Sequence, residues 1–148
     1  MDLNELRDFA LTLMREHDLQ GWTFGYDRAT RRAGLCNYTH HKITVSRHLM
    51  RLYLEAEAKD TVIHEVAHAI AGPLAGHGPI WKHVARSLGG TASVSVGRDA
   101  PRVPPKYRGV CACGREFHRM RLPREGLLCK ACALAGMPGE IMWFKRAG

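Results

Sequence analysis

The chain has 148 residues, 45% of them hydrophobic, and a formal net charge of +8, enough for one compact catalytic-size core with a small appendage and too short for two full domains. No run of eighteen apolar residues occurs, and the opening MDLNELRDFALTLMREHD is charged throughout. A membrane span and a secretory signal are therefore not expected, and the expected location is cytoplasmic.

Asp2 and Glu5 have capping-box spacing, and Leu3, Leu6, Phe9/Ala10 and Leu13 recur at helical period, which predicts an amphipathic helix over 3–17 ending before Gly21. WTFGYDRA alternates Trp22, Phe24 and Tyr26 on one face. TRR then reads as a turn, AGLCNYT as a returning strand and KITVS as a third, so a short antiparallel meander is expected. Ser46 can cap a second helix, Asp60 or Thr61 a third that stops at Gly72-Pro73, and Gly78-Pro79 starts a fourth that runs to Gly89-Gly90. Residues 91–106 hold three prolines, small residues and no apolar period, the composition of a linker. The division expected is a core over 1–90, a linker over 91–106 and a small module over 107–148.

Within the third helix the run HEVAHAIAG places His64 and His68 at i and i+4, one turn apart on one face, where both imidazoles can reach a single ion at roughly 2.0–2.1 Å. Glu65 is the next residue round the helix, as the general base of a metal-assisted hydrolysis requires. Nine His and eight Glu in the chain would produce this pattern by chance about 0.03 times. Val62, Ile63, Val66, Ala67, Ala69 and Ile70 around it are apolar enough to bury the helix, and buried imidazoles and a carboxylate without a partner are costly. Hydrogen-bonded core or surface histidines are the plainer alternative. A catalytic zinc takes three protein ligands, and His77, flanked by Gly76 and Gly78 just past the helix stop, is the candidate third; a solvated loop histidine is its alternative. His83 fits a supporting position or the surface. Trp81 reads as core, and His17, His40, His41 and His48 have no metal-ligating company.

DTVIHEVAHAIAG followed by GHGPIWKHVARSLGG, with RRAGLCNYTHHKITVSRHL upstream, resembles the SprT-like family of zinc metalloproteases, which includes the Spartan proteases of DNA–protein crosslink repair. The likeness covers residues 1–90 in order. It implies an α+β, zincin-like core in which the meander packs on helices carrying HExxH, with His64, His68 and His77 as ligands of a catalytic zinc and Glu65 as the catalytic base. The metzincin pattern fails, because Ala71 and Leu74 stand where it wants glycine and histidine. The loop from His68 to His77 is also shorter than in eukaryotic members.

Cys111-Ala-Cys113 and Cys129-Lys-Ala-Cys132, fifteen residues apart, read as a β-rich zinc ribbon holding a structural zinc through all four thiolates. Its first pair has one intervening residue where two are usual, so His118 could stand in for Cys111. Free thiols are the alternative. Many SprT-like chains carry such a ribbon after the protease core. Residues 98–148 hold 11 Lys/Arg against 4 Asp/Glu, a net +7, whereas residues 1–97 come to +1. Arg115, Arg119, Arg121, Arg124 and Lys130, with Phe117 and Trp143 for stacking, suit non-specific contact with DNA phosphates, and a solvated basic surface is the alternative. The expected function is a zinc-dependent endopeptidase acting on protein substrates, in particular DNA-bound or DNA-crosslinked ones, and nucleoid-associated if it binds DNA. The rival is a non-catalytic zinc protein that binds nucleic acid.

Overall fold

In the computed structural model, residues 1–147 are described, and they divide into two compact units that meet at Val103 and Pro104. The first unit is α+β. Helix α1 (Leu3–Glu16) is started by the Asp2 carboxylate, which accepts the N–H groups of Asn4 (2.8 Å) and Glu5 (3.1 Å), and it buries Leu6, Ala10, Leu13 and Met14, the stripe its period required. Strands β1 (Thr23–Asp27), β2 (Gly34–Asn37) and β3 (Lys42–Ser46) follow. Helices α2 (Arg47–Leu52), α3 (Glu55–Ala71) and α4 (Pro79–Ser87) complete the unit.

The three strands are not the expected antiparallel meander. Their order is β1-β3-β2, with β1 parallel to β3 and β2 antiparallel to β3. Residues 28–33 carry the chain across β3 instead of turning it back as a hairpin, and they are held there by side chains: Thr44 and Arg32 both donate to the Asp27 carboxylate at 2.9 Å, and Ser46 donates to the Ala29 carbonyl. The true hairpin is β2–β3, closed through His41 in a left-handed conformation (φ 48°). β3 is therefore central and supplies fully buried Ile43 and Val45 to a core with Leu6, Met50, Val62 and Val66.

α3 begins at Glu55, earlier than the expected cap at Asp60 or Thr61. Its first turn is satisfied by Glu57, whose carboxylate accepts the Leu54 N–H at 3.0 Å, which leaves the Asp60 carboxylate for another contact. The helix stops at Gly72 (φ 88°), and Pro79 opens α4 as its composition dictates. Residues up to Val103 belong to this unit, with Ala100 and Val103 packed against the core, so the chain stays on the core well past the expected boundary at residue 90.

The second unit is a three-stranded sheet of order β5-β4-β6, all antiparallel, formed by β4 (Tyr107–Cys111), β5 (Glu116–Arg119) and β6 (Ile141–Lys145), with one short helix α5 (Lys130–Leu134). Its buried centre is Cys111, Cys129 and Cys132, with Phe117, Ala131 and Ile141 around them. No helix among the described residues is long and apolar enough to cross a membrane.

Candidate metal centres

His64 and His68 leave the same face of α3, and the loop after Gly72 brings His77 back to them. The three Nε2 atoms form a nearly equilateral triangle with edges of 3.2 Å (His64–His68), 3.0 Å (His68–His77) and 3.0 Å (His77–His64). They cannot satisfy one another. Each Nε2 offers a single in-plane direction, as donor or as acceptor, so three converging nitrogens leave at least one without a partner. The His64 ring is already assigned, because its Nδ1 lies 3.3 Å from the Ser93 carbonyl and donates to it, turning the Nε2 lone pair towards the other two rings. Ligands at about 2.0–2.1 Å from a tetrahedral ion stand roughly 3.3 Å apart, close to these edges, so the donor set fits zinc.

The electrostatics favour the ligand form. Burial, and then the neighbouring His64 and His77 charges, push the His68 imidazole down to about 4. Burial and then His77 lower His64, against a smaller opposing effect of the Ser93 carbonyl. At neutral pH both rings are uncharged, with lone pairs to give.

Glu65 is 7% exposed. Burial pushes its carboxyl up to about 7, against the Arg32 charge and the Cys36 backbone N–H. Room for it comes from strand β2: a methyl group added at Gly34 would lie 2.5 Å from Glu65 Oε1 and 2.7 Å from its Cγ. Glycine at 34 is therefore a seat for this carboxylate, an assignment sequence reasoning missed. His64 and Glu65 both line a cavity of 560 Å³ with Gly34, Tyr53, Val94 and Val96 among its walls.

Trp81, expected as core, is fully buried and also forms the floor of the cluster. Its ring centroid is 4.6 Å from His64, 5.3 Å from His68 and 4.6 Å from His77, and its indole N–H donates to the His64 carbonyl at 3.3 Å. Tyr38 donates to the His68 carbonyl at 3.1 Å and braces the same turn from the sheet side. His83 is exposed on α4 and takes no part in the cluster.

In the second unit all four Sγ atoms lie within 4.8 Å of one another, with Cys111–Cys132 at 3.6 Å and Cys113–Cys129 at 3.8 Å. Those distances are far longer than a disulfide and match the roughly 3.8 Å between thiolates tetrahedrally placed at about 2.3 Å. The short Cys-Ala-Cys bite works because β4 ends at Cys111 in a turn closed by Gly114 N–H to the Cys111 carbonyl (2.9 Å), with Gly114 at φ 87°. His118 is not the fourth member: its ring faces Arg146 at 3.3 Å and Glu116 at 3.8 Å.

The sequence model of the SprT-like family matches residues 4–106. The chain belongs to the SprT-like family. No curated protein matches it. The matched SprT-like span includes the whole histidine cluster and stops short of the cysteines, so the second metal-binding group rests on its own geometry.

The five basic residues of the module are all exposed, but they are not equivalent. Arg115 donates to Cys113 Sγ at 3.8 Å, and the Arg115 backbone N–H is the first cause lowering that thiol to about 6, so this residue supports the cysteines. Arg119 donates to the His118 carbonyl at 2.9 Å. Arg121, Arg124 and Lys130 make no hydrogen bond or ion pair among the described residues. Phe117 is partly buried against the cysteine cluster, and Trp143, of intermediate exposure, lies across Gly109.

Proposed function

We propose that the protein is a zinc-dependent endopeptidase. His64, His68 and His77 hold the ion and Glu65 is the general base; the convergence of three imidazole nitrogens beside a buried helical carboxylate carries this conclusion. Zinc bound there supplies Lewis-acid polarisation of water and of the scissile carbonyl. The Glu65 carboxylate takes a proton from the attacking water and delivers it to the leaving amine nitrogen as the C–N bond breaks, and a carboxyl held near neutrality by its burial is matched to both transfers. The cavity beside His64 and Glu65 receives the polypeptide.

The four cysteines hold a second, structural zinc. The net +7 of residues 98–148 supports non-specific binding to DNA, through Arg121, Arg124 and Lys130 first, which would direct cleavage to DNA-bound or DNA-crosslinked proteins. The test is Glu65→Gln: the variant retains two zinc ions per chain and its fold, and loses cleavage of an unfolded protein substrate. Cleavage at the wild-type rate would remove Glu65 as the base and leave the non-catalytic alternative.

A further inference from the structure

The turn that follows α4 is tied to α3 at two points one helical turn apart. Asp60 and His64 stand at i and i+4 on one stripe of α3. Thr91 donates its backbone N–H to Asp60 Oδ1 at 2.8 Å and its hydroxyl to Asp60 Oδ2 at 2.8 Å. The Thr91 Oγ1 then accepts the Ser93 N–H at 3.2 Å, and the Ser93 carbonyl receives the His64 Nδ1–H at 3.3 Å. Asp60, Thr91, Ser93 and His64 thus form one continuous path of hydrogen bonds.

Two backbone features show that this path needs a specific chain course. Gly90 passes so close to α3 that an added methyl would lie 2.7 Å from Ile63 Cγ2 and 3.0 Å from Asp60 Oδ1. Between the two anchors Ala92 adopts φ 56°, a left-handed conformation uncommon for a residue with a Cβ. A turn serving only to leave α4 has no need of either. The Asp60 carboxylate, a ready helix cap by sequence, is instead spent wholly on Thr91.

We infer that Asp60 and Thr91 are positioning residues for the metal centre: by fixing the Ser93 carbonyl they set the tautomer and the ring orientation of His64, and so the affinity of the histidine cluster for its ion. This rests on the metal-binding role proposed above for that cluster. Neither residue belongs to the ligand cluster, although both line the cavity beside His64. Both act through a main-chain carbonyl, which no substitution at Ser93 would delete, so the path can be probed only at its far end.

The test is cobalt(II) titration of the full-length chain against a competing chelator, in which the thiolate charge-transfer band reports the cysteine site separately from the imidazole site. Thr91→Val keeps the side-chain volume and the Thr91 N–H but removes the hydroxyl that links Asp60 to Ser93. It should weaken the histidine site by about ten- to a hundredfold and leave the cysteine site unchanged. Thr91→Ser, which restores the hydroxyl, should recover wild-type affinity, and Asp60→Ala should weaken the site at least as much as Thr91→Val. A lowered melting temperature with unchanged cobalt affinity in Thr91→Val would make the path a structural staple alone and overturn the inference. Wild-type protein taking up cobalt only at its thiolates would overturn the proposed function and the inference together, whereas two wild-type sites with unaffected variants would overturn the inference alone.

Discussion

Gly34→Ala isolates the seat of the Glu65 carboxylate from everything else in the site. Gly34 is not among the residues with positive φ, so the backbone accepts alanine without strain, and the change should if anything stabilise the strand by a few tenths of a kcal/mol. The new methyl, however, would stand 2.5 Å from Glu65 Oε1, 2.7 Å from Cγ and 2.9 Å from Cδ. Relieving those contacts to ordinary separation moves the carboxylate by about 1 Å. A displacement of that size at a reacting group costs on the order of a hundredfold in rate, or about 2.7 kcal/mol in the barrier. The loss should fall on kcat, with zinc content and melting temperature held, because the three imidazoles are not touched. The assay is steady-state cleavage of a fluorescently quenched unfolded protein by the zinc-loaded variant, with zinc content and thermal unfolding measured on the same preparation. A Gly34→Ala protein with full zinc and wild-type kcat would refute the reasoning, since Glu65 would then either tolerate displacement or have no part in the proton transfers.

Two further outcomes follow from the charges. Burial alone would raise the Asp27 carboxyl, but the Ala29 N–H, Arg32 and Thr44 outweigh it and hold it below its ordinary 3.8; its contribution, about 1 kcal/mol by comparison with similar bonds, is complete above the unfolded value and is lost as pH falls through the lowered folded one. Denaturant unfolding of wild type and Asp27→Asn should therefore differ at pH 7 and draw together as pH falls below 3.8, and a gap that did not narrow in acid would discount the carboxylate. For the basic module, neutralising about four phosphates gives a slope of log K against log salt near −2.8 on single strands and −3.6 on duplex; removing Arg121, Arg124 and Lys130 together should flatten the single-strand slope towards about −0.7. An unchanged slope in the triple variant would place any DNA contact elsewhere.

Where one residue type in one spacing carried the information, the sequence was readable. His64 and His68 at i and i+4, His77 between two glycines after a helix stop, and two cysteine pairs fifteen residues apart each reach a common centre. Asp2, Ser46 and Pro79 likewise announced the helices they start. The strand order was hidden, because alternation fixes which face a side chain takes and says nothing about which strand is its neighbour. The bonds of Asp27 and Ser46 to Arg32 and Ala29 in the 28–33 crossing, with Thr44 held on Asp27, decide it. The start of α3 was misplaced because two acids competed for one reading: Glu57 reaches back to Leu54, and Asp60 serves a residue thirty-one positions on. Ser93 acts through its carbonyl, a group every residue has, and so left no signal. Trp81 was legible as core but not as the floor of the histidine cluster, since burial and contact with a site look alike in an apolar stripe.

The buried centre of the second unit is made of the cysteines themselves, with only Phe117, Ala131 and Ile141 beside them. Such a unit lacks the apolar interior that would let it fold on packing alone, and if it holds zinc as proposed its stability would follow mass action, each tenfold fall in free zinc withdrawing about 1.4 kcal/mol. The first unit has Leu6, Ile43, Met50, Val62 and Val66 in a core that owes nothing to metal. On the zinc occupancy proposed above, scarcity would act on the two units in different ways, emptying the histidine cluster of a core that stays folded while the module comes apart. If both groups hold zinc as proposed, a chain regaining it would have to refold its basic module but only refill its histidine cluster.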